Sequence, residues 1–141
     1  MAAPLTLAQL RHCLEGVLPA LIATCDAAGV PNVTYLSKVF YVDPDHVALS
    51  NQFFSKTVAN LRQNPFAEIT LMEPGSTRHF RFDAEYVKSI DTGDLFEQAS
   101  AEIDAIASLI GLDEVFRLRA LDIYSVSSIY RVPCDLDQTD G

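Results

Sequence analysis

At 141 residues and 15.5 kDa, with 49% hydrophobic residues, the chain can bury one core without disulfide or metal staples and is too short to call for a second domain. A net charge of −9 and a pI near 4.5 oppose a phosphate backbone or an anionic membrane surface, so neither nucleic acid nor membrane is an expected partner. No apolar run approaches the roughly 20 residues of a membrane-spanning helix, and the opening MAAPLTLAQLRHCLEG lacks the basic and apolar regions of a secretory signal, which points to the cytoplasm.

Thr6 and Gln9 fit a capping box, and Leu7, Leu10 and Leu14 follow at helical spacing up to Gly16 as a stop. The period then changes. Residues 19–25 read as an apolar strand, 26–31 as a turn, and 32–42, rich in β-branched and aromatic residues, as the second arm of a hairpin. Asp43-Pro44-Asp45 turns the chain into a third strand, His46–Ser50. Ser55 to Gln63 reads as a short helix ended by Asn64-Pro65.

Strands resume with Phe66–Met72, a Pro-Gly turn, and a long strand from Arg78 to Ile90. In that strand Phe80, Phe82, Ala84 and Tyr86 fall on one face and His79, Arg81, Asp83 and Glu85 on the other, by the period of two. Asp91 or Thr92 then caps a helix whose apolar stripe is Leu95, Ala99, Ile103, Ile106 and Ile110, with Gly111 as its stop. A last strand covers Leu121–Val132. Residues 1–132 therefore read as one domain and 133–141 as a polar, disordered tail. Six antiparallel strands with short flanking helices make a mainly β, α+β fold, a small barrel whose closure removes exposed edges.

Three cysteines without CxxC spacing suggest neither a disulfide framework nor a zinc site, and Cys13 and Cys25 read as small buried hydrophobes. His12, His46 and His79 lack metal-ligand spacing, and no serine shows the partners of a triad, so no metal and no hydrolytic centre is expected. Asp43/Asp45 fit a turn and Glu97/Glu102 a solvated helix face. Six of the ten basic residues lie between Lys38 and Lys88, which leaves room for a local anion site. The helix starting at Ser55 offers free backbone N–H groups and a positive dipole end, to which Ser55 and Thr57 add hydroxyls and Lys56 a full charge. That set suits a phosphate, although a capped surface helix with a solvated lysine has the same spacing.

The string FFSKTVANLRQNP after a strand ending LSNQ, preceded by the hairpin VLPALIATCDAAGVPNVTYLSKVFYVD, resembles the split-barrel flavoproteins related to pyridoxamine 5'-phosphate oxidase. The resemblance covers roughly residues 10 to 132 in order of elements. It implies a six-stranded FMN-binding split barrel, a homodimer with FMN at the subunit interface, and a small-molecule electron donor or acceptor. The cofactor phosphate would be held by Thr34, Leu36, Ser37 and Lys38 of the second strand, by Ser50 and Asn51 at the end of the third, and by Ser55, Lys56 and Thr57. The family's long strand often starts Arg-Gln-hydrophobe-Arg; Arg78-His79-Phe80-Arg81 stands there, so His79 replaces the glutamine toward the flavin ring.

The C-terminal Arg-x-His-type motif of the true oxidases is missing, which argues against vitamin B6 oxidation. What the resemblance implies is an FMN-dependent oxidoreductase whose catalytic residues the sequence does not name. The alternatives are a non-catalytic flavin-binding or sensory module, or a related barrel using deazaflavin or haem. The Tyr124 and Tyr130 face of the last strand reads as barrel or dimer packing.

Overall fold

The computed structural model describes residues 5–14, 19–36, 38–50, 55–76, 78–112 and 118–133, with the side chain of Ser55 excepted. The capping box forms as expected: Gln9 Oε1 accepts from the Thr6 N–H at 2.9 Å and Thr6 Oγ1 from the Gln9 N–H at 3.3 Å. A 3-10 turn, Ala8–Leu10, runs on into α1, Arg11–Leu14. Then come β1 (Ala20–Cys25), β2 (Pro31–Leu36), β3 (Val39–Asp43), β4 (His46–Ser50), α2 (Ser55–Gln63), β5 (Phe66–Met72), β6 (His79–Ile90), α3 (Asp94–Leu109) and β7 (Leu121–Val132). The expected stop at Gly16 and the tail from residue 134 lie outside the described residues.

The strands form one antiparallel seven-stranded sheet in the order β2-β1-β5-β6-β7-β4-β3. The sequence pattern predicts six strands, because residues 32–42 read as a single one. That run divides: β2 pairs with β1, and β3 pairs with β4 at the opposite end of the order. Leu36 and Val39 are only three Cα steps apart, at most roughly 11 Å. The sheet must therefore curl until its two ends meet along one stretch of chain. The ladder is left open between β2 and β3, which is the split in the barrel.

The barrel interior holds the larger core, with Ile22, Leu36, Val47, Leu49, Ile69, Phe82 and Tyr124 almost fully buried, and Leu7, Leu10, Cys13 and Leu14 of the N-terminal helical segment packed against them. A second core lies outside the wall. Ala99 and Ile103 of α3 cover Phe40, Ala48, Leu121 and Ile123. The buried stripe of α3 is Ala99, Ile103 and Ala107; Ile110 is exposed because the helix has already ended there. The α3 cap also differs from the expected Asp91 or Thr92. Gly93, at φ 100°, starts the helix without a side-chain cap, and Glu97 N–H donates to its carbonyl at 3.0 Å. At the other end Gly111, at φ 72°, lets the Leu112 N–H reach back to the Ala107 carbonyl at 2.8 Å, the expected stop.

Two bulges set which residues face where. In β7 the partner of Asp83 is Ser128 and that of Ala84 is Val126, so Ser127 is the extra residue; in β6 Val87 is extra between Tyr86 and Lys88. Tyr124 consequently points into the barrel at 1% exposure while Tyr130 stands on the outer face at 38%. The expectation that these tyrosines share a face fails because one inserted residue reverses the alternation.

Candidate functional site

Helix α2 lies against β1 and β2. Asn60 Nδ2 donates to Thr24 Oγ1 at 3.2 Å, Asn32 Nδ2 to Thr57 Oγ1 at 3.3 Å, and the Ala27 N–H to Gln63 Oε1 at 2.9 Å. Polar side chains thus fix the helix start beside the second strand, as the phosphate reading requires. Thr57 is buried and its hydroxyl already accepts from Asn32. Lys56 is exposed on the first turn, where the N-terminal N–H groups lack intrahelical partners.

The remaining predicted residues are spread over both faces of the sheet. Thr34 pairs with Ile22 and faces inward, half-buried; Leu36 is buried in the interior core, so what it can offer a ligand is backbone. Lys38 reaches α3, with Nζ 2.6 Å from Glu102 Oε2 and 5.4 Å from the Phe40 ring centroid. Glu102 is therefore an ion-pair partner and not merely part of a solvated face. Ser50 is buried at the end of β4, opposite Leu121. Ser37 and Asn51 lie outside the described residues.

Phe80 and Phe82 are buried inside the barrel, so His79 and Arg81 project outward, as the alternation predicts. Arg81 pairs across strands with Thr70 and Tyr130. Its Nε lies 3.2 Å from Glu68 Oε1, and the Tyr130 hydroxyl donates to Glu68 Oε2 at 2.9 Å. Partial burial, then the Glu68 carboxylate, raise the pKa of the Tyr130 hydroxyl above its ordinary value. Arg78 is exposed at the foot of β6, with Nη1 4.0 Å from Glu73 Oε1. Within one chain, Thr34 and Leu36 point inward while His79 points outward. No single face brings them together.

Sequence reasoning missed a cleft of about 210 Å³ lined by Val58, Leu61, Arg62, Tyr86, Ser89 and Asp122. The Tyr86 hydroxyl lies 2.8 Å from Ser89 Oγ, which donates in turn to the buried Asp122 carboxylate. These residues lie on three elements distant in sequence, so no local spacing marks them. Cys25 is also half-buried, not buried as expected. It ends β1 on the outward face, where its Sγ accepts from Asn64 Nδ2 at 3.0 Å.

The model of the family described as pyridoxamine 5'-phosphate oxidase matches residues 6–127. No curated protein matches the chain. Among solved structures, an FMN-binding protein from Syntrophomonas wolfei subsp. wolfei is similar at 17% identity, covering 91% of this chain and 86% of that one, with a TM-score of 0.77. HutZ, the haem storage protein from Vibrio cholerae, aligns at 18% identity over 88% and 92% of the two chains, with a TM-score of 0.57. A structure described as an F420 reductase aligns at 13% identity over 84% and 93%, with a TM-score of 0.59. At these identities the structures speak for the fold. Together with the family match, which spans most of the barrel, they place the chain in the pyridoxamine 5'-phosphate oxidase family of split barrels.

Proposed function

We propose that the chain binds FMN in a cleft completed by a second copy of itself and works there as a flavin-dependent oxidoreductase. The observation that carries this reading is Lys56: an exposed ammonium on the first turn of a helix held beside the second strand, within a family that includes flavoproteins. The donor set fits a phosphate. The N–H groups of the first turn of α2, which have no partner within the helix, and Lys56 would supply charge-assisted hydrogen bonds, and Thr57 braces the turn through Asn32. Lys38 is a poorer phosphate ligand because Glu102 already holds it.

When bound, the flavin supplies hydride chemistry, accepting two electrons from a small-molecule donor and passing them to an acceptor. The protein binds and orients it. His79 on the outward face of β6 would offer a ring nitrogen to a flavin heteroatom. A shared site explains why the β2 and β6 residues, turned to opposite faces in one chain, could both serve it: one set would come from each copy. The outer face supports such an interface. Tyr35 at 72%, Val33 at 60% and Phe66 at 61% exposure leave apolar surface on β2 and β5. Phe53 and Phe54, the aromatic pair just before α2 in the sequence, lie outside the described residues.

A second reading, deazaflavin or haem in the same place, draws on the F420 reductase and the haem storage protein that share the fold. The absorbance spectrum of the purified chain separates the three. An oxidised-flavin spectrum that stays with the protein after FMN is added and the excess removed, followed by turnover of a reduced nicotinamide, is the expected result. A Soret band, or no bound chromophore after FMN addition, would overturn it. Flavin bound without turnover would favour the non-catalytic module.

A further inference from the structure

The N-terminal helical segment covers the end of the barrel at the β5–β6 turn, and three potential metal ligands converge there. His12 Nε2 lies 3.0 Å from Glu73 Oε2 and 3.6 Å from Cys13 Sγ, and the three ligand atoms all lie within 4.8 Å of one another. We propose that His12, Cys13 and Glu73 form a binding site for one zinc ion.

Two of the three separations lie close to those that the ion's geometry requires, and the third is within 4.8 Å. Tetrahedral zinc holds sulfur at about 2.3 Å and imidazole nitrogen at about 2.0–2.1 Å, which sets the two ligand atoms roughly 3.5 Å apart. The observed 3.6 Å matches, and the His12 to Glu73 separation needs to open by only a few tenths of an ångström. One imidazole nitrogen here faces both a thiol and a carboxylate, and a single N–H can donate well to one of them. A cation satisfies all three. The ligand set also selects the metal: thiolate and imidazole suit zinc, whereas calcium and magnesium take oxygen ligands.

The surroundings are built to hold the set in place. Glu73 uses its other oxygen, Oε1, to accept from Ser76 Oγ at 2.8 Å, with Arg78 on that same side, and this leaves Oε2 for the metal. The Glu73 N–H donates to the Arg78 carbonyl at 2.9 Å, which fixes the turn. Cys13 is buried in the interior core and His12 is 54% exposed, so the fourth position opens to solvent. Such a site would clasp the N-terminal helix to the β5–β6 turn. It escapes the sequence because Glu73 stands 61 residues from His12.

The test is a zinc chloride titration of the purified full chain, first stripped with chelator, against a competing chromophoric chelator. One zinc per chain is expected. Losing an outer partner typically weakens a metal site by about 10–100-fold, so His12→Ala and Glu73→Gln, which remove ligands, should cost at least about 100-fold and Ser76→Ala about tenfold. Cys25→Ser should leave binding unchanged. His12 is exposed, so His12→Ala should fold normally by circular dichroism even if Cys13→Ser does not. Cobalt in place of zinc should add a thiolate-to-metal absorption band in the difference spectrum. Failure of the stripped chain to take up zinc, equal zinc affinity in His12→Ala, or cobalt uptake without the thiolate band would each overturn the site and leave an ordinary His12–Glu73 ion pair beside a core cysteine.

Discussion

Lys56 carries the largest share of the proposed ligand energy for a single side chain, because its exposed ammonium has the α2 dipole behind it. A charge-assisted hydrogen bond contributes about 1.5–3 kcal/mol. Lys56→Ala should therefore weaken FMN binding by about ten- to a hundredfold, while riboflavin, which has no phosphate, should bind nearly as before; fluorescence titration with both ligands checks this. The fold should lose no more than about 0.5 kcal/mol, since Lys56 packs against nothing in the core. Phe82 is the opposite case. It is fully buried in the barrel interior, and Phe82→Ala should cost about 3–5 kcal/mol in a denaturant melt. Asp43 adds a dependence on pH. Its carboxylate accepts from the Asp45 N–H at 2.8 Å and from the His46 ring, first the one and then the other holding its pKa below the ordinary aspartate value. A depressed folded-state pKa contributes stability that is present above the ordinary aspartate range and lost as pH falls through the depressed value. Asp43→Asn should thus lower the melting temperature slightly near neutral pH, and the difference should vanish in strong acid.

At the level of elements, the β7 bulge decides which residues meet the outside. Deleting Ser127 would restore a plain alternation and force either Tyr124 out of the core or Tyr130 into it, so the variant should lose several kcal/mol or fail to fold, at or beyond the roughly 4–5 kcal/mol that marks exceptional single changes. Chemical denaturation reads this directly. The bulge also shows where the sequence stops being legible. The bounds of α2, β5 and β7 agree with the pattern because Pro65, the Pro-Gly turn and a clean change of period mark them. The division of residues 32–42 into β2 and β3 has no such mark, since it arises when the sheet curls and the two halves pair with opposite ends. The same limit applies to the site. Lys56 at the start of α2 is readable from local chemistry. The engagement of Lys38 by Glu102, the Tyr86–Ser89–Asp122 cleft and the His12–Cys13–Glu73 cluster all depend on contacts between distant elements.

At the scale of the whole molecule, the proposed flavin site belongs to two chains. His79 and Arg81 face outward on β6 and Thr34 faces inward on β2, and the exposed Tyr35, Val33 and Phe66 supply apolar surface on which a second barrel would dock to share the proposed ligand. Docking around a shared ligand makes assembly and binding mutually reinforcing, so FMN should strengthen the dimer. A Tyr35→Glu substitution on the outer face should weaken both together without unfolding the chain, because Tyr35 is mostly exposed. Size-exclusion chromatography with multi-angle light scattering, run at micromolar protein with and without FMN and with flavin absorbance recorded across the peak, measures the number of chains and of flavins in one particle. The expected particle holds two chains and one FMN per chain; a particle of one chain that still carries FMN would show that a single barrel holds the flavin alone.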